Sequence, residues 1–227
     1  MDFNYMYRFI QTQDISHAGC AYRLRYHVYC DEKKWLDAGG YPEGEEMDAY
    51  DGHSVIFLAL DPEGNAVGTI RLIVKDDMIS LPIGLNFNTG KQHFDNACEI
   101  SRMAVPRNYR RGNVAIGLMR ILFRHVLAHG DELEHVYISV EDRFLLALNL
   151  LGFEFIPIGP PAFCCGDVLV PSMLRAAELE PSLQRNNRRF YEWLMEDPHV
   201  MAAGKDNLLH VYTRTGDRKL AWKNGGA

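Results

Sequence analysis

The stretch Ala97-Cys98-Glu99-Ile100-Ser101-Arg102-Met103-Ala104-Val105-Pro106-Arg107-Asn108-Tyr109-Arg110-Arg111-Gly112-Asn113-Val114 decides the fold. Its first nine residues suit a β-strand, and Pro106 ends the strand because it has no N–H to give to a ladder. A short basic turn follows. Beyond it, Val114, Leu118, Ile121, Leu122 and Val126 recur at helical spacing, and Gly130 supplies a C-terminal stop.

Downstream, Val136 to Val140 alternates as a strand and Asp142 is placed to cap a helix through Leu151. Gly152 ends that helix, and another strand is expected around Phe153 to Ile158. Residues from Pro171 to Ala227 read as two amphipathic helical pieces broken at Pro181-Ser182, followed by a polar tail. Upstream, Val55 to Leu60 and Ala66 to Val74 flank a turn centred on Gly64 and Asn65, which predicts a hairpin. Tyr5 to Ile10 suits an opening strand, and Asp14 or Ser16 a cap for a helix through Tyr29. The segments Asp31 to Gly52 and Leu81 to Gly90 are rich in Asp, Glu, Gly, Asn and Pro and read as loops. A long loop inside a compact domain is often functional.

This mixed order of strands and helices, with no internal repeat, fits a single domain of 227 residues. The division expected is a core over 1–170 and a helical extension over 171–227 packed on the same domain. No apolar run reaches the length of a membrane helix and the N-terminus has no leader pattern, so a cytoplasmic protein is expected. A net charge of −6 argues against general nucleic-acid binding. Five cysteines with no C-x-x-C pair read as reduced thiols, with no metal site. His27, His53, His93, His125, His129 and His135 are scattered without ligand spacing.

Glu99 and Arg102 are charges in an otherwise apolar strand, where a charge is costly unless paired or used. Two roles are open for Glu99. It is either one half of an internal ion pair, with Arg71 on the hairpin as partner, or a general base that takes a proton from an attacking amine. In a regular strand Glu99 and Arg102 face opposite sides, unless a bulge realigns them. A disrupted strand end at Met103 to Val105 offers backbone N–H groups to an oxyanion. Arg71 and Arg102 are alternatively a bidentate grip for the carboxylate of an acceptor, or purely structural. Cys98, beside Glu99, is a minor candidate for a covalent nucleophile.

From Arg102 to Gly130 every charged side chain is an arginine: Arg102, Arg107, Arg110, Arg111, Arg120 and Arg124. This is either a solvated helix face or a docking surface for an acidic carrier. In the second case the N–H groups at Gly112 and Asn113 meet a phosphopantetheine phosphate. The apolar stripes at Leu118 to Val126 and Phe144 to Leu151 are core helices, and residues bordering the strand end are candidates for an acyl tunnel.

The strand, the Arg-Arg-Gly turn opening a helix, and the following strand, helix and Gly-Phe resemble the GNAT acyltransferase core. That resemblance implies an α/β fold with a central mixed sheet, a splayed strand pair gripping phosphopantetheine, and flanking helices. Gly112 is followed by Asn113 and Val114, which departs from the usual GNAT turn and disfavours coenzyme A. Arg25 with Tyr29 and Trp35, the pair Asp48 and Asp51, Arg71, and Glu99-x-Ser101-Arg102 resemble, in order and spacing, the acyl-homoserine-lactone synthases. Leu24 to Glu32 is closer to their sister group, the N-acyl amino acid synthases and the acyltransferases associated with bacterial PEP-CTERM/exosortase systems.

The resemblance implies transfer of a long-chain acyl group from acyl carrier protein to the amine of an amino acid. No tightly bound cofactor is implied; acyl-phosphopantetheine is a co-substrate. Arg25, Trp35, Asp48 and Asp51 then belong to an N-terminal region that closes over the substrate, joined by Ser101, Met103 and Val105, with Glu99, Arg102 and Arg71 at the chemistry. The alternatives are an acyl-homoserine-lactone synthase using S-adenosylmethionine, a non-catalytic carrier- or lipid-binding protein of the same fold, and a coenzyme-A-dependent acetyltransferase.

Overall fold

A computed structural model describes residues 7–12, 15–90, 94–130 and 132–196. The predicted cap at Asp14, residues 5 and 6 of the expected opening strand, and the polar tail lie outside the described residues, as does the side chain of Ser16.

The hairpin forms as its sequence dictates. Strand β2 (Ser54–Leu60) and strand β3 (Ala66–Val74) pair antiparallel, and in the turn Asp61 accepts hydrogen bonds from the Asn65 backbone and side chain. β2 is apolar from Val55 to Leu60, and β3 is buried from Val67 to Ile73 with Thr69 and Arg71 among its apolar residues, because both sheet faces are covered. Ile56, Leu58 and Leu60 point toward helix α1 (Ile15–Tyr26), where they meet Ala21. Phe57 and Ala59 point the other way, into the main core beneath helix α3 (Val114–Ala128). Gly68 lets that helix approach: a Cβ there would lie 2.4 Å from a Val114 methyl.

Strand β1 (Arg8–Thr12) lies outside β2, and strand β4 (Ala97–Ala104) pairs antiparallel with β3. The chain then passes through α3 and returns as strand β5 (His135–Val140), parallel to β4. Helix α4 (Asp142–Leu150) follows; Glu141 rather than Asp142 is its N-cap residue, and no side chain caps it. The expected strand from Phe153 to Ile158 shrinks to β6 (Ile156–Pro157), because Phe153 and Phe155 turn into the core, with Phe153 stacking 4.4 Å from Phe123.

The C-terminal part differs most from expectation. Strand β7 (Ala162–Cys164) and strand β8 (Asp167–Arg175) form a hairpin, and β8 enters the main sheet between β5 and β6. The order is β1-β2-β3-β4-β5-β8-β6, antiparallel except for β4 with β5. Pro171 sits within β8, where its carbonyl accepts from Ile158 N–H. Helix α5 (Ala176–Asn186) continues through Pro181, and the break falls at Asn187, whose side chain caps helix α6 (Arg188–Met195). Burial of Leu179 and Leu183 in the main core holds the turns either side of the proline. The predicted loop from Leu81 to Gly90 contains one short helix, α2 (Pro82–Asn86), opened by a proline at its first position. No described helix is long and apolar enough to cross a membrane.

Candidate active site

The site begins where β4 and β5 separate. Their ladder runs from Ala97 with His135 to Ile100 with Ile138 and stops, while β5 continues against β8 to Val140. At the same point β4 carries an extra residue relative to β3, the register moving from Arg71 opposite Ser101 to Thr69 opposite Ala104. Arg102, inside this bulge, has φ 53°, a left-handed conformation uncommon for a side-chain-bearing residue. The bulge brings Glu99 and Arg102 to the same cavity, of about 370 Å³, despite their three-residue spacing.

One end of the cavity is polar, with Asp48, Tyr50, Arg71, Glu99 and Arg102. The other is apolar and reaches between α3, α4 and β5 to Met119, Phe123, Ile138, Phe144 and Leu148. Glu99 is 2% exposed and accepts one hydrogen bond at 2.8 Å from the Ile83 N–H of α2. Burial pushes its pKa up to about 7, against the opposing pull of that N–H and of the Arg71 and Arg102 charges; Asp48 adds to the rise. Among the described residues Glu99 makes no salt bridge, and Arg71, the partner in the ion-pair reading, meets Asp48 and Asp51 instead.

Arg71 is engaged elsewhere. Its guanidinium meets both Asp48 oxygens at 2.6 and 3.1 Å, Asp51 at 3.0 Å and Ser101 Oγ at 3.2 Å. Arg25, buried at the end of α1, donates to Glu46 at 2.5 Å and to both Asp51 oxygens at 2.7 and 2.8 Å. Arg102 completes the cluster, meeting Glu46 at 3.1 Å and Asp48 at 2.9 Å. Three guanidinium groups therefore face three carboxylates. Burial alone would raise the Asp51 pKa, but the Arg25 hydrogen bonds and the Arg25 and Arg71 charges hold it at about 2. Burial would lower that of Arg102, yet Glu46 and Asp48 keep it raised. With its fork filled by Asp48, Arg71 is not open to a bidentate grip on an acceptor carboxylate.

Glu46 is the residue that sequence reasoning missed. It is fully buried and bridges Arg25 to Arg102, yet it stands in an acidic run beside the exposed Glu43 with nothing in its spacing to distinguish it. Tyr50, which lines the cavity, and the Ile83 N–H, which donates to Glu99, were missed as well, since only the fold brings them there.

A π-helical turn, His27–Glu32, follows α1 and buries Tyr29 against Trp35, with ring centroids 5.8 Å apart. Trp35 lines the cavity and is held by the β7–β8 turn, where a Cβ on Gly166 would lie 2.6 Å from Trp35 Cα. Ser101 and Met103 line the cavity as well. Val105 does not; it is buried, and its carbonyl accepts from Arg110 Nε at 2.8 Å.

The arginines after Pro106 divide. Arg107 and Arg111 are exposed, and Arg110 pairs with Glu32, which also accepts the Arg107 N–H. Gly112 and Asn113 lie at the start of α3, as expected, but neither lines the cavity. Arg120 and Arg124 are a correction to the expected docking face. Arg120 is 2% exposed and donates to the carbonyls of Leu194 and Glu196, and Arg124 donates to those of Met195 and Glu196. Both cap the C-terminus of α6, where a cation meets otherwise unpaired carbonyls. Cys98 is fully buried, faces away from the cavity, and has its pKa pushed up to about 12 by burial, which removes it as a nucleophile.

The fold is of the GNAT type. The model of the acetyltransferase (GNAT) domain matches residues 24–120, from the end of α1 to the middle of α3. Among solved structures, the chain is similar to BjaI, a CoA-dependent acyl-homoserine lactone synthase, at TM-score 0.65 and 22% identity over 92% of this chain and 99% of that one. It is similar to MesI, another CoA-dependent acyl-homoserine lactone synthase, at TM-score 0.62 and 19% identity over 82% and 95%. It is also similar to FeeM, an N-acyl amino acid synthase from uncultured soil microbes, at TM-score 0.58 and 15% identity over 81% and 98%. No curated protein sequence matches the chain.

Proposed function

We propose that the protein transfers a long-chain acyl group from a phosphopantetheine thioester to the amine of an amino acid, with Glu99 as general base. The observation that carries this reading is a single carboxyl with a pKa of about 7, buried where two strands part, at the polar end of a cavity whose other end is apolar. An ammonium must lose a proton before it attacks, and a base poised near neutrality is suited to take it.

The ammonium proton passes to the Glu99 carboxylate. The amine nitrogen then bonds to the thioester carbon, and the resulting oxyanion sits against backbone N–H groups of the bulge around Met103. The C–S bond breaks, and the leaving thiolate takes the remaining extra proton from the attacking nitrogen, giving an amide and a free thiol. The buried charge cluster fixes the bulge, since Arg102 and Arg71 are both tied to Asp48, and the apolar end receives the acyl chain. Acyl carrier protein is the proposed donor, docking at the exposed Arg107 and Arg111, and the cytoplasm is the compartment where such a donor is available.

A second reading, an acyl-homoserine lactone synthase using S-adenosylmethionine, is favoured by the likeness to BjaI and MesI, whose described donor is coenzyme A. One experiment separates the possibilities: mass spectrometry of products after incubation with long-chain acyl carrier protein or acyl-CoA, mixed amino acids and S-adenosylmethionine. An N-acyl amino acid supports the proposal and names the acceptor. An acyl-homoserine lactone with methylthioadenosine moves the protein to the second reading. Bound carrier with no product from any mixture would sink both and leave a binding protein.

A further inference from the structure

The β7–β8 turn places two adjacent cysteines in the cavity wall. Cys165 and Gly166 are its central residues, with φ 52° and 84°, the double-positive pattern of a tight hairpin turn. Cys165 occupies a position where glycine, asparagine or aspartate is the easier choice. Its Sγ lies 3.4 Å from Sγ of Cys164, and both residues line the cavity with Trp35, Glu99 and Arg102. Three features divide the pair. Cys165 is exposed, so a small reagent can reach it. It lies within electrostatic reach of the Arg102 guanidinium. Cys164 is partly covered, and burial together with its hydrogen bond to Cys165 pushes its pKa up to about 12.

We propose that Cys164 and Cys165 form a redox modification site, at which hydrogen peroxide converts the vicinal thiols to a disulfide and so alters the entrance beside Trp35. The Cys165 thiolate attacks the peroxide, taking one oxygen to give a sulfenic acid with release of one water. The Cys164 thiol then attacks that sulfur, forming the S–S bond and releasing a second water, so that two thiols and one peroxide yield one disulfide and two waters. The sulfurs must close from 3.4 Å to about 2.05 Å. Adjacent Cα atoms are only about 3.8 Å apart, below the roughly 4.4–6.8 Å usual for a disulfide, so the bond is strained and easily reduced. The distortion falls on the turn whose Gly166 is packed against Trp35. A strained, reducible pair at a substrate entrance has the character of a reversible switch.

The site itself is independent of the acyl-transfer reading; only its effect on catalysis rests on that reading. The test is peptide mass mapping of the purified full chain after graded hydrogen peroxide, with free thiols alkylated before digestion. The expected result is loss of alkylation at both Cys164 and Cys165 in one peptide, lighter by two hydrogens and restored by dithiothreitol. Cys165→Gly, which removes the thiol and eases the turn, should abolish this change, and so should Cys164→Ser. Both cysteines still alkylated after peroxide, or Cys165 advanced to sulfinic acid with Cys164 free, would overturn the proposal. If transfer is detected, it should fall several-fold on oxidation and recover on reduction in the wild type, and stay constant in Cys165→Gly. Because mapping needs no activity, absence of transfer leaves the site still decided.

Discussion

Glu99 carries the sharpest consequences at the scale of one residue. Its pKa of about 7 predicts that transfer rises with pH through that value, measurable as kcat/KM across pH 5.5–8.5. Glu99→Gln should lower kcat by about 100-fold or more and abolish that limb. The same carboxyl destabilises the fold when ionised. Its folded pKa lies above the ordinary range of a glutamate, so the protonated form is favoured by folding, and that stability is lost as pH rises toward 7. Glu99→Gln should therefore be more stable than wild type at pH 8, by on the order of 2 kcal/mol, with the gap narrowing at pH 5. Paired denaturant melts at the two pH values check it. Asp51 behaves oppositely. Held at about 2, it contributes stability that is present above its ordinary range and lost only as pH falls toward 2.

The elements show which parts of the molecule could be read in advance. The hairpin, β4, α3 and β5 appeared where periodicity and turn residues placed them, because each is apolar on a face set by its own sequence. The bulge was foreseen only as a condition, since nothing in Ser101-Arg102-Met103 distinguishes a left-handed arginine from an extended one. Strand β8 was hidden by Pro171, which reads as a breaker yet is accepted in the sheet. Arg120 and Arg124 were assigned to the right helix and the wrong partner, since α6 lies far along the chain. Arg120→Ala should cost about 1–3 kcal/mol, because it takes the guanidinium from the buried Leu194 carbonyl, while leaving the KM for carrier unchanged. Arg107→Ala with Arg111→Ala should do the reverse, raising KM several-fold with little loss of stability. Gly166→Ala, forced to positive φ and into Trp35, should cost about 1–3 kcal/mol and raise the KM for the acyl donor.

At the scale of the whole molecule, the charge cluster ties the N-terminal segment to the central strands. The N-terminal segment from Arg25 to Asp51 supplies most of the charge cluster, and β3 and β4 supply the rest along with Glu99. Because three cations balance three anions, removing one anion leaves the cluster positive. Asp48→Asn should therefore lower the pKa of Glu99, which Asp48 now helps to raise, and move the pH–rate profile to the acid side. The loop thus works as a rheostat for a proton held on another strand. Variants adapted to acidic or alkaline surroundings need not touch Glu99 at all: a substitution in the loop retunes the operating range and leaves the chemical group intact.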